Sequence, residues 1–127
     1  MAEDGRTMQI ATFNINGIRA RTEALTAWLD ERTPDVVVLQ EIKSVDGRFP
    51  REVFETGGWI VETHGQKGFN GVAILSRLPL SDVTRGLPGD ASDEQARWSE
   101  ATVTGRRRVR VCGLYLPNGN PAPGPRL

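Results

Sequence analysis

The sequence has few of the side chains on which secreted proteins and nucleophile-based enzymes depend: among 127 residues there is one cysteine, one histidine and one tyrosine. A single cysteine excludes a disulfide framework within the chain, which fits a reducing compartment. Because Cys112 lies in the apolar run "VRVCGLYL", we expect it to be buried as a small hydrophobic side chain. We expect His64 to be a solvated loop residue. With this single histidine, no histidine–acid pair can be assembled for a serine or cysteine nucleophile.

The chain also lacks an excess of either charge and lacks long apolar runs. Its 16 basic and 16 acidic residues give a formal net charge of zero, so any binding of nucleic acid has to come from a local groove. No apolar stretch long enough for a signal peptide or a membrane span follows the polar start "MAEDGRT". We therefore expect a cytoplasmic protein without a membrane partner, with residues 1–7 as a disordered tail and residues 8–127 as part of one domain.

The residues that are present alternate between strand and helix patterns. "MQIATFN" and "DVVVLQ" predict strands, and "TEALTAWLDERT" between them predicts a helix with Thr22 as its N-cap and Pro34 beyond its end. A helical crossover makes those two strands parallel. "FPREVFETGG" predicts a short helix closed by glycine, and five strand patterns follow: "WIVETH", "GVAILS", "LSDVTRG", "RWSEATVT" and "RRVRVCGLYLP". This order predicts an α/β fold with a mixed sheet and flanking helices.

The strand "DVVVLQ" needs other parts of the chain to pack against both of its faces. Its continuous aliphatic run is typical of a strand buried on both faces, and two short helices do not obviously supply both covers. The sequence runs directly from a strong strand into the proline- and glycine-rich stretch "LPNGNPAPGPRL". We therefore expect a truncated domain that lacks its other half, with a compact two-layer domain as the alternative.

Polar side chains stand where several of these strands end. Asn14 ends the first strand, Glu41 follows the second, and Tyr115 ends the last. Ligands of open α/β sheets gather beyond the carboxyl ends of the strands, and a carboxylate with an amide oxygen and waters suits Mg²⁺. The pattern predicts a metal and phosphate site made by Asn14, Glu41 and Tyr115, although three unrelated polar loops remain an alternative.

Several motifs together resemble one family. "TFNINGIRAR", "DVVVLQEIKS", "HGQKGFNGVAILSR", "ARWSEA" and "GLYLPNGN" are similar, in order and approximate spacing, to the exonuclease III family of DNA-repair nucleases. That family belongs to the wider endonuclease/exonuclease/phosphatase superfamily. The resemblance implies part of a four-layer α/β sandwich, and metal-dependent hydrolysis of duplex DNA at abasic sites or 3′ ends.

The resemblance also implies roles for individual residues. Glu41 would bind Mg²⁺ or Mn²⁺ with help from Asn14, and Tyr115 would contact the scissile phosphate. Five further residues match positions that line the DNA or phosphate groove: Arg19, Lys43, Lys67, Arg97 and Asn118. The full-length form would be a monomer.

The departures from the family are as informative as the agreements. The family's aspartate base, in a "GD-x-N" motif, and its later "SDH" histidine have no match in these 127 residues. The resemblance therefore implies the N-terminal half of an exonuclease III, inactive by itself. A non-catalytic remnant, a DNA-binding fragment and another phosphodiesterase of the superfamily stay open as alternatives.

Overall fold

The computed structural model describes residues 7–65, 70–86 and 97–116, so residues 1–6 of the predicted tail lie outside it. Every strand and both α-helices predicted from the sequence are confirmed. Their bounds are β1 (Ile10–Asn14), α1 (Ile18–Arg32), β2 (Val36–Gln40), α2 (Arg51–Thr56), β3 (Ile60–His64), β4 (Val72–Ser76), β5 (Leu80–Arg85), β6 (Trp98–Thr104) and β7 (Arg108–Leu114). A short 3₁₀ turn (Asp46–Arg48), which the sequence patterns did not predict, precedes α2.

The strands form two sheets. The first sheet has the order β1-β2-β4-β3 and the second has the order β5-β6-β7. β1 and β2 are parallel, as the helical crossover predicts, while β4 is antiparallel to both of its neighbours. The second sheet is antiparallel throughout. The α/β class and the mixed sheet are therefore confirmed, and within the described ranges no helix is long and apolar enough to cross a lipid bilayer.

Strand β2 obtains cover on both faces from within the chain. Val37 and Leu39 pack in a cluster with residues of α1 and α2, whereas Val36 and Val38 pack against apolar residues of the second sheet. All four side chains are at most 4% exposed. The cover of this strand, which we expected to be missing, is therefore present, because β5, β6 and β7 fold back over the first sheet as a layer of their own.

Helix α1 begins earlier than its sequence signals suggest. It starts at Ile18 after Gly17, and Thr22 lies inside it. The Thr22 hydroxyl donates a hydrogen bond to the Ile18 carbonyl, 2.8 Å away, a common alternative use of a threonine hydroxyl within a helix. The prediction of Thr22 as N-cap was therefore wrong, whereas the helix does end at Arg32, before Pro34.

The outer face of the second sheet, which points away from the first, is a polar network. Arg110 of β7 donates to Glu100 of β6 at 2.7 Å and to the Asp82 carbonyl of β5 at 2.6 Å. Cys112 belongs to this face and is exposed, so its predicted burial was wrong: in the apolar run the inward positions are Val111 and Gly113, and alternation turns Cys112 outward. Partial desolvation, and then the Glu100 carboxylate 3.7 Å away, raise the pKa of its thiol.

This network predicts a loss of stability in acid. Hydrogen bonds from Arg110 hold the pKa of the Glu100 carboxyl below its ordinary value, so Glu100 stabilises the fold above that ordinary pKa and loses this effect as the pH falls through the lowered one. We expect Glu100→Gln to lower the free energy of unfolding at pH 7 by at most about 1 kcal/mol, because solvent screens the pair. Denaturant unfolding at pH 7 and below about pH 3 checks this: a difference that is equal at both pH values contradicts it.

Candidate active site

The carboxyl ends of three strands lie along one edge of the first sheet, which we call the site edge. Across it, Asn14 is paired with Gln40, Gln40 with Val72, and Val72 with His64. Val38, two residues before Gln40, packs against the second sheet, so this row of paired residues faces the second sheet as well. The predicted convergence of the first two strand ends is thus present in the fold.

Strand β7 brings Tyr115 to the same edge. The turn before β7 packs at the opposite edge, since a Cβ placed on Gly105 would lie 3.4 Å from Met8 Cε, just before β1. Near the end of β7, a Cβ on Gly113 would lie 2.8 Å from Val38 Cγ1 and 3.9 Å from Val72 Cγ1. β7 therefore runs toward the site edge. Tyr115 is the next residue after β7, and its backbone N–H donates to the Arg97 carbonyl, 2.9 Å away.

Glu41 is the first residue after β2 and lies outside the first sheet. Its side chain is 21% exposed, and its Oε2 lies 3.2 Å from Lys43 Nζ. Lys43 Nζ in turn donates to Asn16 Oδ1 at 2.7 Å, and the Asn16 backbone N–H donates to Asn14 Oδ1 at 3.1 Å. A continuous chain of polar contacts therefore joins Asn14 to Glu41, and Lys43 takes part in it as a bridge between two loops.

The loops of this edge are held in left-handed backbone conformations. Asn16, Glu41, Lys43 and Asn70 have φ values of 49°, 56°, 54° and 58°. Such residues cost on the order of 1–3 kcal/mol each and persist where the surroundings fix them. Here the fixing contacts are backbone hydrogen bonds of 2.9 Å, from Gly17 to the Glu41 carbonyl and from Lys43 to the Asn70 carbonyl. The strain is concentrated where Glu41 and Lys43 are presented, which is typical of a functional site.

A glycine is required at position 71, beside the loop that follows β2. Gly71 has φ +95°, and a Cβ there would lie 2.5 Å from Ile42 Cγ1. Ile42 is fully buried between the two strained residues Glu41 and Lys43. The close approach of Gly71 lets Ile42 anchor the loop in the core, so that Glu41 projects at the edge.

Asn14 and Glu41 have the chemistry that a hard divalent cation requires. Each carries side-chain oxygen donors, and Mg²⁺ is commonly bound by one or two carboxylates while it keeps several waters. In the part of the chain that the structure describes, no group of three or more histidine, cysteine, aspartate or glutamate side chains could hold an ion. Asn14 and Glu41 therefore offer the donor types of a water-rich Mg²⁺ or Mn²⁺ site with a single carboxylate.

The other predicted residues are distributed around this centre. Arg19 is exposed in the first turn of α1, and Arg97 is largely buried at 9% exposure. Tyr115 is half-buried. Lys67 and Asn118 lie outside the described residues. His64 is the half-buried last residue of β3, so its prediction as a solvated loop residue was wrong: the pairing with Val72 continues through it.

Sequence reasoning missed three contributors to this edge. Asn16 orients Lys43, and its position before Gly17 is a signal that could have been used, because an Asn-Gly pair favours positive φ. Gln40 donates to Thr12 Oγ1 at 2.6 Å across the parallel strands. Asp46 accepts hydrogen bonds from Thr63 and Gly65, and no local pattern in the sequence predicts that contact.

Comparison with known proteins shows the family of the chain. The sequence pattern of the Endonuclease/Exonuclease/phosphatase family matches residues 11–127. Exodeoxyribonuclease III of Haemophilus influenzae is 47% identical over 113 residues, which cover 88% of this chain and 42% of the relative. An exodeoxyribonuclease of Bacillus subtilis is 28% identical over 116 residues, which cover 87% of this chain and 43% of the relative.

Solved structures give the same result. A 3′ phosphatase from Neisseria, NExo, bound to a product DNA hairpin, superposes with a TM-score of 0.84 at 41% identity, covering 89% of this chain and 43% of that one. An AP endonuclease from Archaeoglobus fulgidus superposes with a TM-score of 0.80 at 39% identity, covering 87% and 42%. The chain spans less than half the length of these relatives. It belongs to the Endonuclease/Exonuclease/phosphatase family, as its resemblance to the exonuclease III members predicted.

Proposed function

We propose that this chain carries the metal-binding and phosphate-contacting part of a Mg²⁺-dependent DNA nuclease of the exonuclease III type. The observation that carries the proposal is that the ends of β1 and β2, with Asn14 and Glu41, lie at the same edge as the end of β7 and the start of β6, with Tyr115 and Arg97. The substrates would be duplex DNA with abasic sites or 3′ ends, which base excision repair has to process. The names of the relatives, an exodeoxyribonuclease III and an AP endonuclease, support this class.

Each residue then has a distinct task. Asn14 and Glu41 would hold Mg²⁺ or Mn²⁺, which when bound polarises the phosphate and stabilises charge on the leaving 3′ oxygen. Lys43, whose ammonium lies 3.2 Å from Glu41 Oε2, adds positive charge beside the phosphate. The Tyr115 hydroxyl would donate to a phosphate oxygen, and Arg97, Arg19 and the predicted groove residues Lys67 and Asn118 would contact the DNA backbone.

Cleavage of two defined duplexes tests the proposal. A full-length protein that carries this chain is incubated with a duplex holding one abasic site and with a duplex holding a recessed 3′ end, at increasing Mg²⁺ or Mn²⁺. We expect incision or 3′ resection that depends on the metal. Release of phosphate from an inositol phosphate or a phospholipid, without DNA cleavage, would assign the chain to another phosphodiesterase branch. Metal-independent DNA binding without any hydrolysis would identify a non-catalytic binding protein.

Tyr115→Phe tests the proposed role of the Tyr115 hydroxyl as a donor to a phosphate oxygen. The change removes a single hydroxyl from the end of β7, so we expect cleavage by the full-length protein to slow up to roughly 100-fold, the lower end of the cost of losing one preorganised donor to a reacting group. Thr104→Val, which removes a hydroxyl from the opposite edge of the second sheet, is the matched control. Single-turnover rates at saturating enzyme measure the effect. Equal rates for Tyr115→Phe and the unsubstituted protein would make Tyr115 purely structural.

A further inference from the structure

The carboxylate of Asp46 joins three elements at the site edge. Its Oδ1 accepts from Thr63 Oγ1 at 2.8 Å and from the Gly65 backbone N–H at 2.7 Å, and its Oδ2 pairs with the Arg85 guanidinium. Gly65 packs so closely on the segment before the 3₁₀ turn that a Cβ there would overlap the Ser44 carbonyl oxygen. Asp46 is thus fixed against β3 on both sides of His64.

The two side chains that Asp46 contacts belong to different sheets. Thr63 lies in β3 of the first sheet, whereas Arg85 ends β5 of the second. The Asp46–Arg85 pair therefore bridges the two layers at the corner where β3 and β5 end. Away from this edge the layers are held by an apolar cluster that includes Val36 of β2 and Val103 of β6.

A short path of hydrogen bonds leads from Arg85 to the proposed site. The next residue, Gly86, donates its backbone N–H to the Trp98 carbonyl at 3.0 Å, and Arg97 immediately precedes Trp98. Tyr115 then donates its N–H to the Arg97 carbonyl at 2.9 Å. These hydrogen bonds link a contact at the end of β5 to the backbone of Arg97 and Tyr115.

We propose that Asp46 is a positioning residue of the site, which sets the placement of Arg97 and Tyr115 relative to Asn14 and Glu41 by tying Arg85 to the end of β3. This inference rests on the proposed function, because it supposes that groups from both sheets act on one phosphate. The metal-binding groups come from the first sheet and the phosphate donors from the second. Small errors in their relative placement are costly, since misplacement by about 1 Å can reduce rates about 100-fold.

Two substitutions break the bridge and leave the rest of the corner intact. Asp46→Asn keeps an oxygen that can accept from Thr63 and Gly65 but removes the charge that attracts Arg85. Arg85→Gln removes the other partner and leaves Asp46 unchanged. Glu55→Gln is the matched control, because it breaks the exposed Arg51–Glu55 ion pair within α2, which does not join the two sheets.

The measurement is paramagnetic relaxation of backbone amides by Mn²⁺, recorded by NMR on the 127-residue protein. It needs no turnover, and it registers a weakly bound ion in fast exchange. Mn²⁺ at the site broadens the amides of Asn14, at the end of β1, and Lys43, in the loop after β2, and those of Arg97 and Tyr115, which flank β6 and β7 of the second sheet. We expect Asp46→Asn and Arg85→Gln to change the broadening of Arg97 and Tyr115 relative to Asn14 and Lys43, and Glu55→Gln to leave that ratio unchanged.

The outcomes separate this inference from the proposed function. Unchanged ratios in both bridge variants overturn the positioning role, even if the metal site is correct. If Mn²⁺ does not broaden Asn14 or Lys43 in the unsubstituted protein, the proposed metal site fails. In that case NOEs from Gly113 to Val38 and Val72, read in the same variants, still decide whether the bridge sets the spacing of the sheets. In a full-length protein, both bridge variants are expected to lower kcat/KM about tenfold without changing the thermal midpoint by more than the control does.

Discussion

The 127-residue protein is expected to show no Mg²⁺-dependent cleavage of abasic duplex DNA when assayed alone. Hydrolysis needs a group that takes the proton of the attacking water and a stabilised leaving oxygen, and groups that act as a unit fail together when one is removed. The aspartate and histidine that the resemblance implies for these tasks have no match in this sequence.

This inactivity should not result from a failure to fold. Both faces of β2 are covered within the chain, so the protein has a core of its own that packs helices on one face of the first sheet and the second sheet on the other. Circular dichroism on the assayed sample provides the control, since it should report both strand and helix. Robust metal-dependent incision by the pure chain, abolished by Glu41→Gln, would falsify the prediction and place the whole catalytic set within these residues.

In a full-length protein that carries this chain, Glu41→Gln is expected to reduce cleavage by at least about 100-fold. Changes to groups that merely orient a metal ligand already cost 10–100-fold, and Glu41 is the carboxylate that the site edge offers directly. The substitution also removes the ion pair with Lys43, but a pair this close to solvent contributes at most about 1 kcal/mol to stability. The effect should therefore appear in metal dependence and turnover, with the fold retained.

Rates measured over a series of Mg²⁺ concentrations resolve this prediction. The variant should need more Mg²⁺ and should remain slow when the metal is saturating. Glu52→Gln, which removes an exposed carboxylate from α2, is the control for the change in net charge. If the Glu41 variant cleaves like the unsubstituted protein at limiting Mg²⁺, the metal assignment of Glu41 has to be abandoned.

Local sequence patterns determined the elements and the outline of the site. The run "DVVVLQ" followed by Glu41 specified a buried strand with a polar end, because aliphatic β-branched residues and a charged terminus leave few other structures. The helix before it required β1 and β2 to be parallel, so Asn14 and Glu41 had to meet at one edge. The motifs around Lys43, Arg97 and Tyr115 were sufficient to predict the family.

Only the tertiary structure decided how the second sheet packs on the first. The sequence gives no register between separate layers, so it did not reveal that β6 and β7 cover Val36 and Val38. Nor did it orient Cys112, because a run that is apolar by composition still alternates inward and outward in a strand at a sheet surface. Each of these outcomes depends on packing between residues that are distant along the chain.

The detailed geometry of the site edge is likewise a tertiary property. Glu41 and Lys43 adopt left-handed conformations that their own residue types disfavour, and hydrogen bonds from Gly17 and to Asn70 compensate the cost. The bridge from Asp46 to Arg85 spans 39 positions in the sequence, and no periodic pattern encodes such a pair. Periodicity and residue type determined which groups stand at the strand ends, while long-range hydrogen bonds and the packing of the two sheets decided where those groups point.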